Sequence, residues 1–386
     1  MKIIADENMP NAKALFSHLG DVCLVDGRQL TKDQLQDAEV LLVRSVTKVT
    51  PVLLEGTQIK FVGSATIGVD HIDQTYLQQQ GIQFASAPGC NAEAVADYVF
   101  SALSSLYFTK SLNWCSKRIG IIGFGNVGQI VCQRFVSLGL DVVVHDPFKA
   151  NQTIQGVNFV GLEEVMQSDI LCLHAPLTTG SDFPTKGMID APLLAQLPEN
   201  ATIISAGRGG IIDEAALIQA FHARGGAFNL VLDVWSNEPE INRELFALVD
   251  IATPHIAGYS KQGREKGTWM VFQALCEFLR VSVPSGLAET AISAGWVQSI
   301  NIFNLGDKEE MIARAIHGIY NLARDDAAMR YQYRMQKHPR VFDWLRKNYT
   351  ERDELNSCYV SMDKAEEGNI LKSVGFSVDM TANNSK

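Results

Sequence analysis

The chain lacks the cysteine spacing, the long apolar run and the excess of positive charge that mark several protein classes, and each absence removes one. Its seven cysteines (Cys23, Cys90, Cys115, Cys132, Cys172, Cys276 and Cys358) are odd in number and scattered, and no two stand as Cys-x-x-Cys. That argues against a disulfide framework and against a zinc site, so they read as reduced and mostly buried. No apolar run approaches the ~20 residues that a membrane span requires, and MKIIADENMP enters strand-like sequence at once, without the apolar core of a signal peptide. The expectation is a cytoplasmic protein with no membrane partner. Lys and Arg number 33 against 43 Asp and Glu, a net charge of −10 that removes any broad electrostatic reason to bind nucleic acid but permits a local cationic pocket. Low-complexity tracts and internal repeats are missing too, and 46% apolar against 20% charged residues is a globular composition. At 386 residues the chain is too long for one core, so several domains are expected.

What is present is alternation. From residue 1 to about 90, short β-type runs (KIIAD, DVCLV, EVLLV, KFVGS, IQFAS) alternate with helix-length segments such as NAKALFSHLG and DHIDQTYLQQQG, which predicts a parallel sheet with crossover helices. AEAVADYVFSALSSLYF, roughly 92 to 108, reads as a long apolar helix connecting two domains. A second βαβ series follows in KRIGIIGFGNVGQIVCQRFVSLGLDVVVHDP, SDILCLHAP, ATIISAG, FNLVLDV and DIATPH, whose strands predict one further sheet. KQGREKGTWMVFQALCEFLR looks helical, and VSVPSGLAETAIS has the Pro, Gly and Ser of a linker. The last hundred residues differ: an amphipathic helix in KEEMIARAIHGIYNLARD, a cationic aromatic stretch RYQYRMQKHPRVFDWLRKNY and a strand-like VGFSVDM, with no catalytic motif. They form a small α+β piece.

Gly123, Gly125 and Gly128 spell G-x-G-x-x-G between the strand RIGII and a helix, the context in which this pattern signals a dinucleotide. The first two glycines allow a tight turn and close approach of a pyrophosphate, the third lets helix and strand pack, and N–H groups at the helix start face the phosphates. A Gly-rich turn alone can be purely architectural. Asp146, closing the next strand, shifts the balance, because a carboxylate there accepts both ribose hydroxyls and repels a 2′-phosphate. Pro147 and Phe148 bring no cation in compensation, so NAD is preferred to NADP.

Three later segments follow apolar strands: SAGRGGIIDE with Arg208, LDVWSNEP with Asp233 and Glu238, and TPHIAGYS with His255. Ligands bind at the carboxyl ends of strands in an open α/β sheet, so these side chains can converge. Taken singly each has a bland explanation: a surface ion pair, a solvated turn residue, a loop histidine. Together, in this order after a dinucleotide motif, and with IGVDHID, APGCNAEAVADYV, CLHAPLT and GRGGIIDE, they resemble the NAD-dependent 2-hydroxyacid dehydrogenases of D-stereospecificity over nearly all of residues 40 to 280.

The resemblance implies two Rossmann-like, doubly wound lobes with a cleft between them: a substrate lobe from 1–99 completed by 259–284, an NAD lobe at 100–258, and the C-terminal piece at 285–386. It implies His255 as acid/base, Glu238 as the carboxylate orienting it, and Arg208 as the binder of the substrate carboxylate and C2 oxygen, a task for a fixed fork of donors. It implies a cofactor set of Gly123, Gly125, Asn126, Val127, Gly128, Asp146, Ala175, Ala206, Asp233 and Gly258. Where many relatives have Asn, this chain has Ser205.

Where many relatives have Gly before the GVD turn, this chain has Thr66, and the loop after EVLLV carries Arg44 and Ser45. Hydroxyls and a cation at neighbouring strand ends suit a phosphate. Within the family the combination resembles a branch acting on a phosphorylated hydroxy acid, which implies Ser45, Thr66 and Tyr259 as substrate contacts and a homodimer formed through the C-terminal extension. Arg346, in FDWLRKNY, is a further candidate for the phosphate across such a dimer; its bland alternative is a surface Arg packing on Trp344 or Tyr349. Two rivals share the lobes: a 3-phosphoglycerate or general 2-hydroxyacid dehydrogenase, and an NAD-sensing corepressor-type binding protein.

Overall fold

A computed structural model of the chain describes residues 1–302, 306–336, 340–362 and 364–378. It divides into two compact units, Met1–Asn91 with Tyr259–Ala294, and Ala92–Gly258 with Gly295–Lys386.

In the first unit β1 (Lys2–Asp6), β2 (Asp21–Val25), β3 (Val40–Val43), β4 (Phe61–Ser64) and β5 (Gln83–Ser86) form a parallel sheet in the order β2-β1-β3-β4-β5. Every residue of β3 and β4 is buried, as in a parallel sheet covered on both faces. One face packs under the helix Lys261–Leu279 through Val271, Phe272 and Leu275, with Phe16 edge-on to Phe272. Ser260 caps that helix by accepting the Gly263 N–H at 3.0 Å. The stretch expected to be a linker contributes to this core instead: Leu287–Ala291 is a short helix, and its apolar residues at i and i+4, Leu287 and Ala291, turn inward together.

In the second unit β6 (Ile119–Ile122), β7 (Val142–His145), β8 (Asn158–Phe159), β9 (Ile170–Leu173), β10 (Thr202–Ser205), β11 (Asn229–Leu232) and β12 (Ile251–Ala252) are also parallel, in the order β12-β11-β10-β9-β6-β7-β8. This is the doubly wound arrangement expected from the second βαβ series; β8, two residues long, is too short to carry a periodic signal. The apolar helix spans Ala92–Lys110 without a break, inside the second unit, and buries Phe100 against Trp114 and Phe135.

The C-terminal segment adds β13 (Ser299–Ile302), β14 (Tyr359–Met362) and β15 (Ser377–Val378), which pair in parallel in that order. Of the three only β15 is legible in the sequence, since polar residues break SINI and YVSM into apolar pieces of one or two residues; Asp379 and Met380 of VGFSVDM lie outside the described residues. The expected amphipathic helix is two helices, Lys308–Ile319 and Leu322–Met335, because Asn321 accepts the Ala323 N–H at 3.1 Å and starts a new N-terminus. Lys337, His338 and Pro339 of the cationic stretch lie outside the described residues, and Val341–Lys347 is helical. Met329 and Phe342 share one hydrophobic cluster with β9, β10 and β11.

Among the described residues no helix is long and apolar enough to cross a membrane. The cysteines are free thiols, with Cys23 exposed and Cys90, Cys132, Cys172, Cys276 and Cys358 buried. Burial pushes Cys172 and Cys115 up to about 12, with Glu309 adding to the shift at Cys115, and Cys132 up to about 11. Thiolate is the reactive form, so a disulfide reagent at pH 8 is expected to titrate one thiol rapidly, Cys23, and the remaining six only after denaturation. Two or more fast thiols would contradict this packing.

Candidate active site

Three loops at the carboxyl ends of β10, β11 and β12 carry Arg208, Glu238 and His255. Close approach of the first two is enforced by backbone: a side chain at Gly209 would fall on the carbonyl oxygen of Trp235, so only glycine lets the loop with Arg208 lie against the turn that starts Trp235–Glu238. In that turn the Trp235 N–H donates to Glu238 Oε1 at 3.0 Å, leaving Glu238 Oε2 to accept from His255 Nδ1 at 2.7 Å. The ring is thereby held with Nδ1 as donor, which places the lone pair on Nε2. His255 itself has φ +57°, a left-handed conformation uncommon for a non-glycine residue. Arg208 is half-buried and donates from Nη1 to the Gly207 carbonyl at 3.0 Å.

Asp233 is 1% exposed. Its carboxylate accepts the Ile256 and Ala257 N–H groups at 2.8 and 2.9 Å and the Thr253 hydroxyl at 2.7 Å, which pins the loop bearing His255. Gly258 ends this loop, and the chain enters the first unit at Tyr259.

The Gly-rich turn is closely packed on one side and open on the other. Gly123 has φ +91°, and a Cβ there would stand 2.5 Å from the Ala175 nitrogen; one at Gly128 would fall on the Gly123 carbonyl. A Cβ at Gly125 meets nothing within 4 Å, so this side of the turn is open. Gly125 is the N-cap of the helix Asn126–Ser137, in which Asn126 and Val127 form the first turn, and no side chain caps it, which leaves N–H groups for an anion. Asp146 accepts the Phe124 N–H at 2.8 Å through Oδ2 and the Phe148 N–H at 3.1 Å through Oδ1, and each oxygen keeps a lone pair. Ala175 and Ala206 follow β9 and β10 on the same edge as the turn.

Two residues here escaped the sequence reading. His174 follows β9, across the β6/β9 switch point from the turn; both ring nitrogens are buried without a partner among the described residues, and burial lowers its pKa to about 4. A neutral imidazole left unsatisfied beside the Gly-rich turn fits a site meant for a polar ligand. Its only signal was its place in CLHAP. Lys149, one residue beyond Pro147 and Phe148, folds back to donate from Nζ to the Phe124 carbonyl at 2.6 Å. Tertiary folding puts a cation on the turn, and its hydrogen bond goes to that turn's own backbone.

Ser45 and Thr66 lie in the first unit, two residues beyond the paired ends of the adjacent strands β3 and β4, where Val43 faces Ser64. In the order β2-β1-β3-β4-β5 the winding reverses between β1 and β3, so the loop with Arg44 and Ser45 emerges at a switch point, where such sheets bind ligands. Ser45 is exposed; Thr66 is half-buried, 2.8 Å from the Ser64 hydroxyl and 3.1 Å from the Gly68 carbonyl. Thr47, in the same loop, is structural: 4% exposed, it donates to the Gly27 carbonyl at 2.8 Å. Tyr259 and Arg44 are half-buried in this unit, and Arg346 is half-buried in the helix Val341–Lys347 of the second unit.

Residues 105–257 match the D-isomer specific 2-hydroxyacid dehydrogenase, NAD binding domain, and residues 292–375 match a domain of unknown function, DUF3410. The chain is 59% identical over 379 residues to the erythronate-4-phosphate dehydrogenase of Marinomonas sp. (strain MWYL1), covering 98% of this chain and 100% of that one. It belongs to the erythronate-4-phosphate dehydrogenase family. The relative from Photorhabdus laumondii is 42% identical over 98% of this chain and 100% of its own. Among solved structures, the NAD-bound 3-phosphoglycerate dehydrogenase of Entamoeba histolytica has a TM-score of 0.61 at 24% identity, over 74% of this chain and 98% of that one, a likeness of fold. This dehydrogenase is therefore an NAD-dependent oxidoreductase of the D-2-hydroxyacid type, and the Gly-rich turn and Asp146 fit the cofactor.

Proposed function

We propose that this dehydrogenase oxidises the C2 hydroxyl of 4-phospho-D-erythronate to (R)-3-hydroxy-2-oxo-4-phosphooxybutanoate, a step toward pyridoxal 5′-phosphate. The observation that carries the chemistry is the 2.7 Å bond from His255 Nδ1 to Glu238 Oε2. It leaves His255 Nε2 to take the hydroxyl proton, and the Glu238 carboxylate stabilises the imidazolium that forms. Arg208 binds the substrate carboxylate and the C2 oxygen through its fork of donors, which fixes C2 and favours the developing carbonyl. Bound NAD supplies the acceptor for the hydride that leaves C2. Gly123, Gly125, Asn126, Val127 and Gly128 hold its pyrophosphate and Asp146 its adenosine ribose, with Ala175, Ala206, Asp233 and Gly258 lining the remainder. Ser45, Thr66 and Tyr259, with Arg44, take the 4-phosphate end, supported by the family's name and by the switch-point position of Ser45. A homodimer through the C-terminal segment is supported by its exposed large side chains, Trp296 (76%), Met335 (60%) and Tyr359 (56%), and in it Arg346 reaches the partner's substrate phosphate.

The test is turnover with NAD and a 2-oxo acid as final electron acceptor. Product is expected from 4-phospho-D-erythronate, and R346A is expected to raise KM for it. Activity on 3-phosphoglycerate alone would assign the broader dehydrogenase reading, and an unchanged KM in R346A would remove Arg346 from the site.

A further inference from the structure

His255 has a left-handed backbone, and the loop around it is held through both its amide and its carbonyl groups. On the amide side the His255 N–H donates to the Asp233 carbonyl at 2.8 Å, and the Asp233 carboxylate takes the next two N–H groups. Thr253 gives its one hydroxyl proton to Asp233, so the Tyr98 hydroxyl, 2.7 Å away, donates to Thr253 and ties this clamp to the helix Ala92–Lys110. On the carbonyl side the hold comes from the C-terminal segment: Arg352 Nη2 donates to the Ala257 carbonyl at 2.6 Å and to the Ala94 carbonyl, on the same helix, at 2.9 Å.

Arg352 is deeply buried where it stands. It is 3% exposed, its guanidinium lies 3.9 Å from the centroid of the Tyr320 ring, and Nε and Nη1 are buried without a hydrogen-bond partner among the described residues. Among the described residues it has no ion pair; burial works against its charge, but Tyr320, Tyr349, Asp97 and Asp325 around it outweigh that and hold its pKa above the usual guanidinium value. An unbranched apolar side chain would also pack on Tyr320, and it would carry no charge to desolvate. What such a side chain would lack is the donor shared by two carbonyls.

We propose that Arg352 is a positioning residue for the reaction: by joining Ala257 to Ala94 it fixes the loop that aims His255, which makes the C-terminal segment part of the active-site scaffold. The proposal rests on the assignment of His255 as acid/base. R352M keeps the stem on Tyr320 and removes the donors; R352K restores one. In R352M, kcat is expected to fall about 100-fold, the scale of an ångström-size misplacement, while KM and the Kd for NAD change less than threefold. R352K is expected to recover about a tenth of the wild-type rate. In an H255N background, R352M should change the residual rate less than twofold, since the group it positions is gone. The proposal is overturned if R352M, or R352K should R352M fail to fold, turns over within twofold of wild type, or if its loss is equally large in the H255N background. Full activity of H255N itself would remove the acid/base assignment, a failure distinct from normal turnover by the Arg352 variants alone.

Discussion

Replacing His255 by Asn is expected to lower kcat by about 10²- to 10⁴-fold, the usual range for loss of a positioned general acid/base, and to leave the Kd for NAD within about threefold. Asn is chosen because the backbone at 255 has φ +57°, which Asn accepts more readily than most residues, so the loop keeps its course. The two holds on that loop, the Asp233 carboxylate and Arg352 Nη2, engage residues 256 and 257 and do not involve the imidazole. NAD affinity is the control, because the Gly-rich turn and Asp146 make no hydrogen bond to His255. Single-turnover kinetics with the physiological substrate measures it. A rate within tenfold of wild type, with NAD still bound, would mean that another group carries the proton.

Replacing Arg134 by Met is expected to destabilise the second unit by about 3–5 kcal/mol, because a buried ion pair that loses one member leaves the other charge uncompensated. Arg134 is 5% exposed, donates from Nη1 to Asp97 at 2.7 Å and from Nη2 to Glu93 at 2.5 Å, and packs against Gly375. Asp97 is 1% exposed and also accepts the Leu355 N–H at 2.9 Å, so one carboxylate ties the helix after the Gly-rich turn to the C-terminal segment. At about 2–4 °C per kcal/mol for a unit of this size, thermal unfolding should begin some 10 °C lower. R134M/D97L should recover only part of the loss, since removing the carboxylate relieves the unpaired charge but orphans the Leu355 N–H. A fall in Tm of less than 3 °C in R134M would show that water reaches this pair.

Legibility followed locality. G-x-G-x-x-G, Asp146 and twelve of the fifteen strands among the described residues were readable because each is a run of neighbours: a short apolar stretch, or glycines at fixed offsets in one turn. The strands that went unread, β8, β13 and β14, lie in polar surroundings and are only partly buried, so no apolar run marks them. The site divides in the same way. Arg208, Glu238 and His255 could be nominated because each ends an apolar strand, but the 2.7 Å bond that sets the tautomer depends on where two separate loops meet. Within VRSVT, Ser45 and Thr47 look alike as hydroxyls; the fold leaves one exposed at a switch point and buries the other against Gly27.

By itself the sequence determined two parallel sheets, a dinucleotide turn with NAD preference, and a family, because binary patterning and glycine placement act over a few residues and survive without context. Only the tertiary structure decided that Asp233 clamps the loop of His255, that His174 stands unsatisfied beside the turn, that Lys149 folds back onto it, and that Arg352 reaches Ala257 from 95 residues away. Those are hydrogen bonds and burial between distant segments, whose energies depend on which neighbours exclude water, and no single stretch of chain contains that information.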